Sequence, residues 1–171
     1  GANLTRANLT SANLHLVSPP ALLWGCNLTR ANLTDLDLAE ANLYAANLRG
    51  ANLSGVNLNF ADLELVSLYE ANLVGATLVS TNIAGGYLRD ANLRSTDLSE
   101  ARFFEANLNR ANFAGANLAR VDLRRTRLQG ANFIGANLSE TDFSGATANE
   151  STVWPEGFDP EAAGVTIKNV G

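Results

Sequence analysis

Ala41-Asn42-Leu43-Tyr44-Ala45-Ala46-Asn47-Leu48-Arg49-Gly50-Ala51-Asn52-Leu53-Ser54-Gly55 writes one pattern three times in fifteen residues. Each copy holds a small residue, an Asn, a Leu and two variable residues. Outward from this stretch the Leu position recurs every fifth residue from Leu28 to Phe143 as Leu, Ile or Phe, giving 24 consecutive centres. Helices repeat at 3.6 residues and strands at 2, so neither accounts for a period of five. A chain that regains the same environment every five residues turns a corner every five residues, and such turns stack into a solenoid.

Within a repeat centred at i, the Leu and the small residue at i−2 point inward, while i−1, i+1 and i+2 face water or shape the corner. Four sides close a square coil of twenty residues, and coils stack like parallel strands about 4.8 Å apart. Ala suits i−2 because so narrow a square cannot hold two large side chains per side. Most exceptions stay small or β-branched: Thr81, Thr96, Thr126, Thr141, Val56, Val66, Val121 and Gly86. Leu36 is oversized for its place and predicts a local bulge. Proline lacks the N–H that a stacked coil needs, and Pro19, Pro20, Pro155 and Pro160 all fall outside the regular repeats.

Leu4, Leu9 and Leu14 are out of phase with Leu28. Ala21-Leu22-Leu23-Trp24-Gly25 is itself a repeat centred on Leu23, which reduces the misfit to a four-residue corner loop, Val17-Ser18-Pro19-Pro20. Leu4, Leu9, Leu14 and Leu23 then form a first coil, and 28 centres make about seven coils, a rod of about 30–35 Å. The expected organisation is a β-helix over residues 1–150 with the insertion at 17–20, followed by a tail over 151–171. The phase runs on faintly through Ala148, Val153 and Phe158. An open solenoid end exposes apolar cross-section and unpaired edges, and Trp154 and Phe158 are the candidate C-terminal cap. The chain opens mid-repeat at Gly1, which predicts that more protein precedes it.

Tandem Ala-Asn-Leu-x-x units such as Ala41–Ala45 and Ala51–Gly55 resemble the pentapeptide-repeat proteins, over residues 1–150. The resemblance implies an all-β fold, a right-handed quadrilateral parallel β-helix. The tail Trp154-Pro155-Glu156-Gly157-Phe158-Asp159-Pro160 is similar to the C-terminal segment of many cyanobacterial members, which implies a bacterial source. Some relatives join such a rod to membrane segments, so membrane association would come through chain ahead of Gly1. Quinolone-resistance members mimic DNA and bind DNA gyrase.

Composition narrows the function classes. Net charge is −5, from 17 acidic and 12 basic residues, whereas direct nucleic-acid binders are basic. No apolar run is long enough to span a membrane as a helix. His15 and Cys26 are the lone residues of their types, so no metal-ligand spacing and no catalytic constellation can be assembled, and no cofactor motif is present. Cys26 occupies an inward small position and reads as filler. The Asn-x-Ser/Thr triplets are by-products of the repeat.

Residues twenty apart share a column. The side of Leu28, Leu48 and Leu68 is basic, carrying Arg6, Arg30, Arg49, Arg89, Arg110 and Arg127. The sides of Leu38 and of Leu43 are acidic. The side of Leu33 is smooth and nearly uncharged, with an unbroken Asn column from Asn32 to Asn132 and Gly at Gly55, Gly75, Gly115 and Gly135. Segregated charge reads either as a solvated surface or as an oriented docking face. Trp24 is expected over Tyr44, with Leu16 and Leu22 nearby, and Tyr69 between Arg49 and Arg89 in cation–π geometry. These seven residues are the candidate protein contacts. The expected function is a non-catalytic structural or protein-interaction scaffold, the C-terminal domain of a larger protein. The alternative is a DNA-mimicking gyrase binder. Self-association through the smooth side or the open N-terminal end is a further expectation.

Overall fold

The computed structural model describes residues 4–12 and 21–168. Parallel bridges step along the chain in twenties, as in Asn32 to Asn52 to Asn72 to Asn92 to Asn112 to Asn132. Each repeat contributes the same ladder. The Leu43 N–H donates to the Asp62 carbonyl at 2.7 Å, the Asn52 N–H to the Ala31 carbonyl at 2.9 Å, and the Gly50 N–H to the Tyr69 carbonyl at 2.9 Å. A fourth bond closes the corner, from the Ala46 N–H back to the Leu43 carbonyl at 2.9 Å. Among the described residues there is no helix.

The corner explains the rest of the repeat. Its third residue, i+2, has positive φ at position after position, including Arg30, Glu40, Ala45, Gly50, Gly55, Phe60 and Leu65. A β-turn with positive φ there is the type II arrangement, which glycine adopts without cost and other L-residues do not. The i−1 Asn secures the same corner from outside: its Oδ1 accepts the backbone N–H two residues on, as at Asn27–Thr29 (3.1 Å) and Asn132–Ile134 (3.0 Å). Where i+1 is Ser or Thr the hydroxyl donates to the same oxygen, at 2.6 Å for Thr29. The Asn columns also bond coil to coil, Asn72 Nδ2 to Asn52 Oδ1 at 3.1 Å and Asn137 Nδ2 to Asn117 Oδ1 at 3.0 Å. The Asn ladder is thus a corner brace that works both within and between coils.

Inside, centres and small residues form one continuous core, Leu23 to Phe143 with Ala21 to Ala146. The inward threonines are satisfied: Thr96 Oγ1 donates to the Leu93 carbonyl at 2.7 Å and Thr126 Oγ1 to the Leu123 carbonyl at 2.6 Å. Leu36 makes no bulge. It is buried, its carbonyl still accepts the Asn57 N–H at 2.9 Å, and its corner bond of 3.3 Å is no longer than the Thr96 corner bond of 3.4 Å. Ile83 instead is matched by Gly86, where a Cβ would stand 3.0 Å from both Ile83 and Leu88.

Two register shifts correct the phase read from sequence. At the N-terminal end the Leu4 N–H bonds the Leu22 carbonyl (2.8 Å), the Leu9 N–H bonds the Asn27 carbonyl (2.7 Å), and Asn8 bridges Asn27. Leu4 therefore stacks on Leu23 and Leu9 on Leu28, nineteen residues apart. The first turn is one residue short of a coil, not four residues long, and Leu23 opens the next coil. The loop Val17–Pro20, with Leu14, His15 and Leu16, lies outside the described residues. At the other end Asn132 bridges Val153, twenty-one residues on. The extra residue turns Val153 outward and gives Trp154 the inward place that the running phase assigns to Val153. Thr152 fills the small position, its hydroxyl donating to the Leu128 carbonyl at 2.9 Å.

The aromatic core continues through that shift. Phe133 stacks on Phe113 with centroids 5.0 Å apart, and Trp154 stacks on Phe133 at 5.0 Å and 5°. Phe158 meets Trp154 at 5.2 Å and Phe143 at 5.6 Å. Two short strands, β1 (Thr147–Ala148) and β2 (Thr166–Ile167), pair in parallel, so the tail adds one more rung to the basic side.

Candidate functional site

Every outward side chain is placed by the ladder, so the surface is a set of columns. The N-terminal register moves Arg6 off the basic side. It stands beside Trp24, its guanidinium 4.2 Å from the indole centroid. The side of Leu43 thereby carries Arg6, Arg102, Arg124 and Arg125 against five carboxylates and is mixed rather than acidic. The side of Leu38 keeps five carboxylates against Arg120 alone. The basic side retains Arg30, Arg49, Arg89, Arg110 and Arg127, opposed by Glu70, Asp90 and Glu150.

Opposite charges also meet along single columns and between adjacent ones. Arg110 grips Asp90 through Nε and Nη2, both at 2.6 Å, and Arg89 Nε reaches the same carboxylate at 3.4 Å. Arg120 meets Glu100 at 2.7 Å, Arg124 meets Asp122 at 2.8 Å, and Arg125 meets Glu105 at 3.3 Å. The Arg110 guanidinium holds the Asp90 carboxyl below its ordinary range, and Arg124 does the same for Asp122. Asp142 is lowered chiefly by the Ser144 hydroxyl and backbone N–H. The pairs twenty residues apart tie neighbouring coils together, Arg124–Asp122 stays within one repeat, and each contributes little stability.

Of the sequence-predicted contacts, Tyr69 lies with Arg49 over its ring at 4.6 Å, while Arg89 turns to Asp90. Trp24 and Tyr44 are ladder neighbours, joined by the Gly25 N–H to the Tyr44 carbonyl at 2.9 Å, but Arg6 and not Tyr44 covers the indole. Leu22 is 46% exposed; Leu16 lies outside the described residues. Cys26 is buried, and burial pushes its thiol up to about 11. Among the described residues no group of His, Cys, Asp and Glu is placed to hold a metal ion, and no helix is long and apolar enough to cross a membrane.

Sequence reading passed over three outward apolar residues: Phe60 (62% exposed), Tyr87 (58%) and Leu65. Each breaks its own column, Tyr87 replacing the usual Asn and Phe60 standing among Glu, Ser and Arg, and that departure was the available signal. Leu65 and Tyr87, with Gly85, Gly86 and Arg127, line a recess of about 340 Å³. A larger one, about 440 Å³, lies on the basic side between Arg89, Asn109, Arg110, Gln129, Asn149 and Ser151.

The five-residue ladder has a direct counterpart among known families: the pentapeptide-repeat model matches in eight copies, over residues 1–17, 21–50, 46–85, 71–110, 87–125 and 106–145. The chain belongs to the pentapeptide-repeat family. Solved pentapeptide-repeat structures resemble it along much of its length. QnrB1, a plasmid-mediated fluoroquinolone resistance protein, aligns over 96% of this chain and 80% of its own with a TM-score of 0.58 at 18% identity, a likeness of fold. HetL, involved in heterocyst differentiation regulation in the cyanobacterium Nostoc, is 28% identical over 92% of this chain and 86% of its own, with a TM-score of 0.37. A pentapeptide-repeat protein of the cyanobacterium Cyanothece is 30% identical over 78% of this chain and 87% of its own, with a TM-score of 0.36. No curated protein matches. Membership identifies the solenoid as a right-handed quadrilateral β-helix.

Proposed function

We propose that this pentapeptide-repeat rod is a non-catalytic scaffold that docks a protein partner on its basic side. The observation that carries the reading is the inequality of the sides on one continuous core: arginines with Tyr69 on one, carboxylates on the opposite one, and between them one nearly uncharged side rich in Asn and Gly and one of mixed charge. An oriented charge pattern of this kind sets the orientation and rate of encounter more than raw affinity. Arg49, Tyr69 and Arg89 are the central contacts on this reading, Leu22, Trp24 and Tyr44 a second patch near the N-terminal end, and Trp154 with Phe158 the cap that keeps the far end from self-pairing. The cyanobacterial relatives support a bacterial, cyanobacterial source. Capture of partners by wild type and by Arg49→Gln/Tyr69→Ala tests the reading: loss of a specific partner is expected, and identical partners would overturn the basic-side assignment. Identical capture by Trp24→Ala/Tyr44→Ala would remove the second patch.

A gyrase-directed function is the second reading. The fold likeness to a fluoroquinolone resistance protein and the acidic side of Leu38 favour it; the arginine column interrupting the negative envelope weighs against it. Inhibition of gyrase supercoiling by the purified rod would place this reading first.

A further inference from the structure

We propose that the recess on the basic side, between Arg89, Asn109, Arg110, Gln129, Asn149 and Ser151, receives a carboxylate side chain from an acidic peptide segment of the partner. This rests on the scaffold reading and names the chemistry of its ligand.

N–H groups of Arg89, Arg110, Asn109 and Asn149 line the recess, beside two acceptors: Gln129 Oε1, whose Nε2 is spent on Thr147 Oγ1 at 2.9 Å, and the Ser151 oxygen. No carboxylate lines it. Asp90 lies beside it, held by Arg110 through two 2.6 Å bonds and by Arg89 at 3.4 Å, so two guanidinium groups share one carboxylate and a positive charge is left over. Two of the three lining amides, Asn109 and Asn149, turn their nitrogens to the recess. Asn109 spends its Oδ1 on the Gln129 N–H at 3.1 Å. Asn149 spends its Oδ1 on the Gly130 N–H at 3.0 Å and on the Ser151 hydroxyl at 2.8 Å. With the oxygens engaged, both Nδ2 groups remain as donors without a partner among the described residues. The Arg89 Nη groups, which Asp90 does not engage, together with the two amide nitrogens can meet the two oxygens of a further carboxylate.

The size of the recess and the charge of its surroundings select the occupant. About 440 Å³ exceeds what one small anion fills and suits an acidic side chain with its flanking backbone. A long polyanion would meet Glu70 and Glu150 on the same side and a rod of net charge −5, so a short acidic segment fits where a nucleic acid does not.

The test is titration of isotope-labelled protein with a soluble peptide of six glutamates between glycines, followed by amide and arginine side-chain NMR. Expected are shifts centred on Arg89, Asn109, Arg110 and Asn149, weakening as salt rises from about 0.05 to about 0.5 M. Asn149→Asp keeps the oxygen that accepts from Gly130 but places a negative charge in the recess, and should weaken binding by at least about tenfold. Arg89→Gln, on an exposed side chain, is the second variant and should do the same with an unchanged melting temperature. Shifts spread evenly over Arg30, Arg49 and Arg127, undiminished binding by both variants, or no shift at millimolar peptide would overturn the inference. So would equal binding of a charge-matched oligonucleotide at this recess. If the inference fails while basic-side variants still lose their partner, the scaffold reading survives with a different ligand; if they lose none, the scaffold reading fails separately.

Discussion

At the scale of single residues, this fold places a left-handed backbone conformation at each corner and fills it only sometimes with glycine. Non-glycine residues such as Ala45 (φ 53°) and Phe60 (φ 62°) accept that conformation because the ladder on both sides fixes it. Gly75 isolates the effect, since a Cβ there would meet nothing within 4 Å at φ +68°. Gly75→Ala should therefore lower stability by about 1 kcal/mol through the backbone alone, as read by denaturant unfolding. Cys26 gives a second residue-level expectation. Its thiol is buried and raised to about 11, so the reactive thiolate is suppressed in the native rod. Labelling by a thiol reagent at pH 8 should proceed only through opening of the coil, and should accelerate by orders of magnitude in denaturant.

The coil is the element that the sequence states most openly. Its centres, small residues and corner asparagines are legible because each column demands one chemistry: Leu where a side must be filled, Ala where there is no room, Asn where an oxygen must accept a corner N–H. Register at the two ends was not legible. A coil shortened by one residue before Leu23 and lengthened by one before Val153 leaves no compositional trace, because Ser, Thr, Asn and Pro suit any turn. Only hydrogen-bond partners distinguish Leu4 over Leu23 from Leu4 over Leu28. The same slip hid why Trp154 points inward, though its apolar bulk next to Pro155 marked it as a candidate cap. Trp154→Ala should cost about 3 kcal/mol, at the low end for a large aromatic because Trp154 is only half-buried, and should raise dye binding at the exposed Phe133 ring.

For the whole molecule, charge decides both acid behaviour and function. Asp90, Asp122 and Asp142 are held below the ordinary carboxyl range, while the unfolded chain titrates near 3.9. The unfolded state thus binds protons first: the ionic contribution is complete above about pH 4 and is lost as pH falls through the lower folded values. The melting temperature should stay level from pH 7 to about pH 4.5 and decline below it, with a smaller decline in about 0.5 M salt because the pairs are exposed. The candidate contacts were partly legible, as column assignments for Arg49, Tyr69 and Arg89, whereas the recess at Arg89 and Asn149 needed the C-terminal register. Side-specific docking can be read directly with a photo-crosslinking residue placed singly at Tyr69, Val74, Val79 and Ala84, the same corner position on four successive sides. A basic-side scaffold gives a partner adduct at position 69 and none at 74 or 79; equal adducts from all four sides, or none from position 69, would contradict it.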